Sequence, residues 1–241
     1  MDGAVERLGD AEVLANCAGF SVPMEFDAME VAAYERLLRV NTLGSMYSTR
    51  ALLPKMKENM RGRILFTSSM SGQVGVYGYT AYGASKFAIV GLAQALQMEV
   101  KAFGIAVSVS YPPDTDTPGF EVENVSKPEA TRLISEGGGI FSAQKVASGI
   151  VKGIKNGDFT ITCGLDGYLV SLGTAGFAPC FSVCDAICQV SNQLFCSSIL
   201  CRYGMSQNKE LFHKYTAHTH VVSYKHISKF THVPAQVTIV I

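Results

Sequence analysis

Apolar positions recur along this chain in two alternating rhythms. Short runs rich in apolar and branched residues, at 13–17, 63–68, 105–111 and 159–163, read as strands. Longer stretches at 31–60, 80–103 and 142–156 space their apolar residues as amphipathic helices do. Leu37, Leu38 and Leu43 are the expected core positions of the first helix, and Phe87, Ile89, Leu92 and Leu96 of the second. Gly104 ends that second helix. Strands alternating with helices predict an α/β fold, a doubly wound parallel sheet of Rossmann-like type with helices on both faces. The run at 13–17 is expected to be a buried strand. Residues 118–139 are polar and lack a sustained period, which suits a loop with short helical pieces serving as a substrate lid.

The pattern changes late in the chain. Two runs, 167–184 and 186–201, carry no charge. Pro179, Ser191, Asn192 and Gln193 keep them from being clean spans of about 20 apolar residues. Contact with a membrane surface, or a buried helix, is the expectation. From residue 202 the alternation is lost, so the chain divides into a domain at 1–201 and a basic, poorly ordered tail at 202–241. The first part holds 15 basic and 19 acidic residues, the tail 5 and 1, together with all five histidines. With 48% hydrophobic residues among 241, a sizeable core is affordable. The balance of 20 basic against 20 acidic residues argues against a nucleic-acid partner. Seven cysteines form no Cys-x-x-Cys pair. Cys180, Cys184 and Cys188 recur along one helical face and read as packing residues. His218, His220 and His226 fall in the tail, and no metal site is expected. Residues 1–7 have neither a basic start nor an apolar stretch, so no signal peptide is expected.

Chemistry concentrates in Tyr82-Gly83-Ala84-Ser85-Lys86, with Ser69 thirteen positions upstream at the end of a predicted strand. Tyr82 and Lys86 are four apart and share a helix face. An ammonium beside a phenol favours phenolate and is expected to lower the phenol's pKa from about 10. A tyrosine so poised can pass a proton to a developing alkoxide. The serine hydroxyl can hold the carbonyl oxygen. Asn41 lies inside a predicted helix, where asparagine is unfavourable by propensity, and this points to a special role.

This layout resembles the short-chain dehydrogenase/reductase family. Asn16-Cys17-Ala18-Gly19 is similar to the family's Asn-Asn-Ala-Gly turn, with cysteine in place of the second asparagine. Arg39-Val40-Asn41-Thr42-Leu43-Gly44 resembles its helix asparagine. Pro112-Pro113-Asp114-Thr115-Asp116-Thr117 resembles the loop after the sixth strand, with Pro113 where the family has glycine. The resemblance implies hydride transfer from NADPH to a ketone. Tyr82 would donate the proton, Ser69 orient the oxygen, and Asn41 hold a water relaying protons to Lys86. Asn16, Gly19, Tyr82, Lys86, Pro112 and Thr117 would bind the cofactor, Lys86 at the nicotinamide ribose and Thr117 at the amide. Within the family, residues 95–101, 111–120 and 131–136 resemble the branch that reduces 3-oxosphinganine to sphinganine. That implies a long-chain keto-sphingoid substrate, sphingolipid biosynthesis, and the cytosolic face of the endoplasmic reticulum membrane.

Members of this family begin with a strand, a Gly-x-x-x-Gly-x-Gly turn and a helix, which seats the cofactor pyrophosphate on a helix N-terminus. No such cluster precedes Asn16: Gly3 and Gly9 are too sparse. Gly72, Gly75 and Gly78 lie between Ser69 and Tyr82 and shape that loop. Gly137-Gly138-Gly139 follows no strand. The expectation is an N-terminally truncated sheet, with the strand at 13–17 left as an apolar edge and homo-oligomer formation as one outcome. The rival expectation is a catalytically inactive isoform that binds lipid or a partner. A polypeptide of these 241 residues alone is expected to bind NADPH weakly. Fluorescence titration checks this, and micromolar or tighter affinity contradicts it.

Overall fold

The computed structural model describes residues 10–175. Four parallel strands form the main sheet: β1 (Val13–Asn16), β2 (Gly62–Thr67), β3 (Ile105–Tyr111) and β6 (Thr160–Thr162), in the spatial order β1-β2-β3-β6. Register pairs Ile64 with Val107, Phe66 with Val109, and Val109 with Thr160. Two-residue strands β4 (Thr115–Asp116) and β5 (Phe141–Ser142) pair separately. The helices are α1 (Val31–Leu38), α2 (Gly44–Glu58), α3 (Thr80–Val100), α4 (Pro118–Val125), α5 (Glu129–Gly138), α6 (Ala143–Asn156) and α7 (Gly164–Thr174). Ser142, at the predicted start of α6, is its N-cap, its hydroxyl accepting from the Lys145 amide.

Side-chain alternation assigns the two faces of the sheet. Ile64, Phe66, Ile105, Val107, Val109 and Tyr111 point to the face covered by α2 and α3, where they meet Met56, Ile89, Ala93, Leu96 and Val100. Each large apolar side chain buried there contributes about 1.5–3 kcal/mol. The opposite face receives α6. Arg63, alternate to Ile64, donates to the Ile154 carbonyl of that helix. Helices on both faces of a parallel sheet are the predicted architecture.

Several expectations change in detail. The strand at 13–17 is the expected edge, with β2 as its partner among the described residues, but it is not the buried strand that was also expected. Val13 is 52% exposed and Cys17 lies beyond the strand. The helix predicted over 31–60 is interrupted at Arg39–Leu43 by a wide π-helical turn centred on Asn41. Leu37 is fully buried there, Leu43 half-buried and Leu38 exposed, because the wide turn rotates the apolar stripe. On α3, Ile89 and Leu96 are buried and Leu92 half-buried, but Phe87 is 47% exposed. The inward stripe runs through Ala81, Ser85, Lys86, Ile89 and Ala93 instead. Small and polar residues fill it because the backbone of the Ser69 loop presses close. The polar segment 118–139 is mostly helical, with Thr117 capping α4.

Residues 167–174 of the first charge-free run lie in α7. No helix among the described residues is long and apolar enough to cross a membrane. The rest of that run, the run 186–201, Cys180, Cys184, Cys188, the histidines and the domain boundary at 201/202 lie outside the described residues. Among the described residues the outer edge of β1 is unpaired, and this has a testable consequence. In a polypeptide of these residues, Val13→Lys is expected to raise the monomer fraction by charging the edge. Size-exclusion chromatography with light scattering reads it, and unchanged assembly would place the contact elsewhere.

Candidate active site

The site is built where β2 ends. Ser68 and Ser69 leave the strand together. The buried Ser68 hydroxyl donates to the Lys86 carbonyl at 3.0 Å and its amide to the Ser110 carbonyl at 2.9 Å. Ser69 is extended and its Oγ accepts from the Ser71 amide at 3.2 Å, capping the turn Met70–Gly72. Gly72 permits the loop to lie on α3: a Cβ there would stand 2.3 Å from Ser68 Oγ and 3.0 Å from the Lys86 carbonyl oxygen. This close approach sets the Ser69 hydroxyl near enough to the Tyr82 phenol to act against the rise in its pKa.

Lys86 is 5% exposed. Its ammonium donates to the Thr67 carbonyl at 2.9 Å and lies 5.5 Å from the centroid of the Tyr82 ring. A Cβ on Gly19 would stand 3.4 Å from Lys86 Nζ and 3.1 Å from Asn41 Oδ1, so the glycine leaves an opening beside both. Asn41 is buried at the π turn. Its Oδ1 accepts from the Phe20 amide at 3.0 Å, and its Nδ2 donates to the Phe20 carbonyl at 2.9 Å and to Ser85 Oγ at 3.0 Å. Ser85 in turn donates to the Tyr82 carbonyl at 2.7 Å, and Thr42 Oγ1 donates to the Ser85 carbonyl at 3.0 Å. Both side-chain donors of Asn41 are thus spent on protein. The amide stitches the loop after β1 to α3, and it offers no N–H to the expected water.

The electrostatics differ from the sequence expectation. Burial pushes the Tyr82 phenol up to about 12, opposed by the hydrogen bond from Ser69 and reinforced by the negative charges of Glu123 and Asp114. The lysine does not pull the phenol down here, because its ammonium bonds the Thr67 carbonyl and sits over the ring. Burial lowers Lys86 itself to about 8.

The other sequence candidates are held by bonds of their own. Asn16 turns into the protein: Nδ2 donates to the Leu65 carbonyl at 3.1 Å and to Thr49 Oγ1 at 3.2 Å, and Oδ1 accepts from Ser48. Those bonds tie β1 to β2 and α2, so its side chain serves the scaffold. The Pro112 carbonyl accepts from the Met70 amide at 3.4 Å and braces the Ser69 turn. Thr117 Oγ1 accepts from the Phe120 amide at 3.2 Å and donates to the Thr115 carbonyl at 3.3 Å, which makes it the cap of α4.

Sequence reasoning missed a second polar cluster, which joins α4 and α5 to this centre. Glu123 on α4 accepts from the hydroxyls of Tyr79 and Ser21 and pairs with Lys127 at 3.0 Å. The Lys127 ammonium, whose side chain is fully buried, also lies 3.3 Å from Ser135 Oγ, 3.9 Å from Asp114 and 4.5 Å from the Phe120 ring centroid. Ser135 donates to Asp114, whose carboxyl burial holds above the usual carboxylate range. The one signal available beforehand was the Glu123/Lys127 spacing of four, a favourable helical pair.

The chain matches the short chain dehydrogenase family over residues 1–127. It belongs to that family of oxidoreductases. A 3-ketodihydrosphingosine reductase of Bos taurus is 50% identical over 187 residues, covering 78% of this chain and 56% of the bovine protein. A 3-dehydrosphinganine reductase of Danio rerio is 49% identical over 187 residues, with the same coverage of 78% and 56%. Among solved structures, a short-chain dehydrogenase from Streptomyces avermitilis superposes with a TM-score of 0.62 at 26% identity, covering 73% of this chain and 68% of that one. The chain spans about half the length of the curated relatives it matches, 56% in both.

The buried lysine of this short-chain dehydrogenase makes a measurable prediction. Lys86 is expected to titrate near pH 8 rather than near 10.5, read by NMR of its Cε–Nζ group. Between those values the unfolded chain holds a proton that the folded chain has released, so this group makes stability rise with pH. Above about 10 the trend reverses, because the Tyr82 and Tyr111 phenols, raised by burial to about 12, keep protons that the unfolded chain loses. Denaturant unfolding at pH 7.5 and 9.5 should show the rise in wild type and its loss in Lys86→Met.

Proposed function

We propose that the whole protein reduces 3-oxosphinganine, a long-chain keto-sphingoid base, to sphinganine with NADPH in sphingolipid biosynthesis. The observation that carries this reading is the convergence of Ser69, Tyr82 and Lys86 at one end of β2, beside the opening left by Gly19. The residues present fit the nicotinamide end of such a cofactor. Gly19 lacks the Cβ that would fill the space by Lys86 Nζ, and an ammonium with spare donors can bind ribose hydroxyls there. When bound, the cofactor supplies the hydride.

The chain's own residues do the rest. Ser69 holds the ketone oxygen and the Tyr82 phenol together, so that the oxygen meets a proton as charge develops on it. Tyr82 gives that proton. A phenol held fully protonated near neutral pH is suited to act as the acid in the reduction direction. Lys86, buried above the ring, is poised to exchange protons near pH 8. The lid region exposes Val122, Val125, Leu133 and Ile140, a surface suited to a lipid chain or to the face of a bilayer. This supports the proposal that the enzyme works at the cytosolic face of the endoplasmic reticulum membrane. A homo-oligomer has its support in the apolar groove between α2 and α3, lined by Met46, Leu53, Leu92 and Leu96.

In the whole protein, Tyr82→Phe is expected to lower NADPH-dependent ketone reduction by about 10²–10⁴-fold, followed as loss of NADPH absorbance. A variant keeping more than about a tenth of the rate would move the proton donor elsewhere.

A further inference from the structure

Glu123 occupies an unusual position for a carboxylate. It sits on the lid helix α4, yet its side chain is largely buried and each of its contacts reaches a different segment. One oxygen meets the Tyr79 hydroxyl and the Lys127 ammonium, the other the Ser21 hydroxyl. Tyr79 immediately precedes α3, and its ring packs on that of Tyr82 with centroids 5.3 Å apart. Ser21 immediately follows Phe20, whose amide and carbonyl are both bonded to Asn41. One carboxylate therefore reaches the proton donor through one neighbour and the Asn41 brace through another.

The surroundings hold this carboxylate in place. Lys127 has its side chain fully buried, and a buried ammonium is expensive unless paired and hydrogen-bonded. It meets Glu123, Asp114, Ser135 and the face of Phe120. A surface salt bridge clipping the lid would need none of this, and would leave Tyr79 and Ser21 to bond water.

We propose that Glu123 is a positioning residue for catalysis, holding Tyr79 against Tyr82 and Ser21 beside the Asn41 brace, so that seating of α4 sets the geometry of the acid–base centre. This rests on the reading of Tyr82 as the proton donor. The role is transmitted, since Glu123 touches neither substrate nor reacting atoms. A separate anchor, the Thr131 hydroxyl donating to the Tyr77 carbonyl at 2.8 Å, keeps α5 on the same loop when Glu123 is changed.

The test uses three variants of the whole protein: Glu123→Ala, Glu123→Gln and Tyr79→Phe. Glutamine keeps an oxygen to accept from one hydroxyl and an amide N–H to donate to the oxygen of the other. Phenylalanine keeps the ring against Tyr82 and loses only the bond to Glu123, so it carries the test if the alanine variant fails to fold. Glu123→Ala and Tyr79→Phe are expected to lower kcat by about tenfold or more, with KM for NADPH changed by less than about threefold, and Glu123→Gln to restore most of the rate. Hydrogen exchange by mass spectrometry is measured alongside. Glu123→Ala is expected to speed exchange in 39–45 and 79–86, and Glu123→Gln to leave it near wild type. Unchanged exchange in those segments, a kcat unaffected by Tyr79→Phe, or a glutamine variant as impaired as alanine would overturn the proposal. If wild type reduces no 3-oxosphinganine, the functional reading fails separately, and the exchange data still decide whether Glu123 holds the site.

Discussion

A buried ammonium governs the arrangement of this domain. Lys86 is carried by α3 against the end of β2, where water is largely excluded, and burying such a group is costly unless its protons find acceptors. The Thr67 carbonyl supplies one acceptor and the Tyr82 ring face another favourable contact. Both depend on α3 lying close to the strand end. That approach in turn requires a hydroxyl at Ser68 to take the Lys86 carbonyl and a glycine at 72 to let the loop pass. The low pKa of the lysine is the physical trace of how incompletely its charge is compensated.

The irregular turn at Asn41 answers the same constraint from the other side. A regular helix over 31–60 would carry its stripe past the loop after β1 without pairing the backbone of Phe20. Widening the helix at residues 39–43 lets the Asn41 amide take both polar groups of Phe20 and still reach Ser85. Pairing both of these part-buried backbone groups helps offset the poorer hydrogen bonding of a π turn. Helix, loop and Tyr82-bearing helix are thereby joined through one side chain. Glu123 adds a third point of attachment from the lid, with Lys127 compensating its burial.

The strand-and-helix order, the parallel sheet, and the grouping of Ser69, Tyr82 and Lys86 were all legible in the sequence. They follow from local rules: branched residues in short runs, apolar residues at helical spacing, and a serine, tyrosine and lysine whose separations survive any reasonable placement of elements. The exposure of Val13 on a strand of apolar residues, the outward turn of Phe87 and the extent of helix in the lid were not legible. Burial depends on what packs against a residue, and that is decided by strand order and by how close a loop comes. Asn16 and Thr117 show the limit at single residues. Their types fit cofactor contact as well as they fit a sheet tie or a helix cap, and only the folded structure shows the bonds to Leu65, Thr49 and Phe120 that they make.

The direction of the Tyr82 shift marks the division most sharply. Sequence spacing established that an ammonium and a phenol share a helix face, from which a lowered phenol pKa follows if the two polar ends meet. Tertiary packing turned the ammonium to the Thr67 carbonyl, buried the phenol and set two carboxylates nearby, so the shift runs upward. Spacing along a helix fixes which side chains can be neighbours. The dielectric around them, and which of several partners each polar atom takes, are set by segments distant in the chain, such as Ser21 reaching Glu123 across 102 positions. By itself the sequence determined the chemical inventory and its scaffold; the folded structure decided the charge state in which that inventory is held.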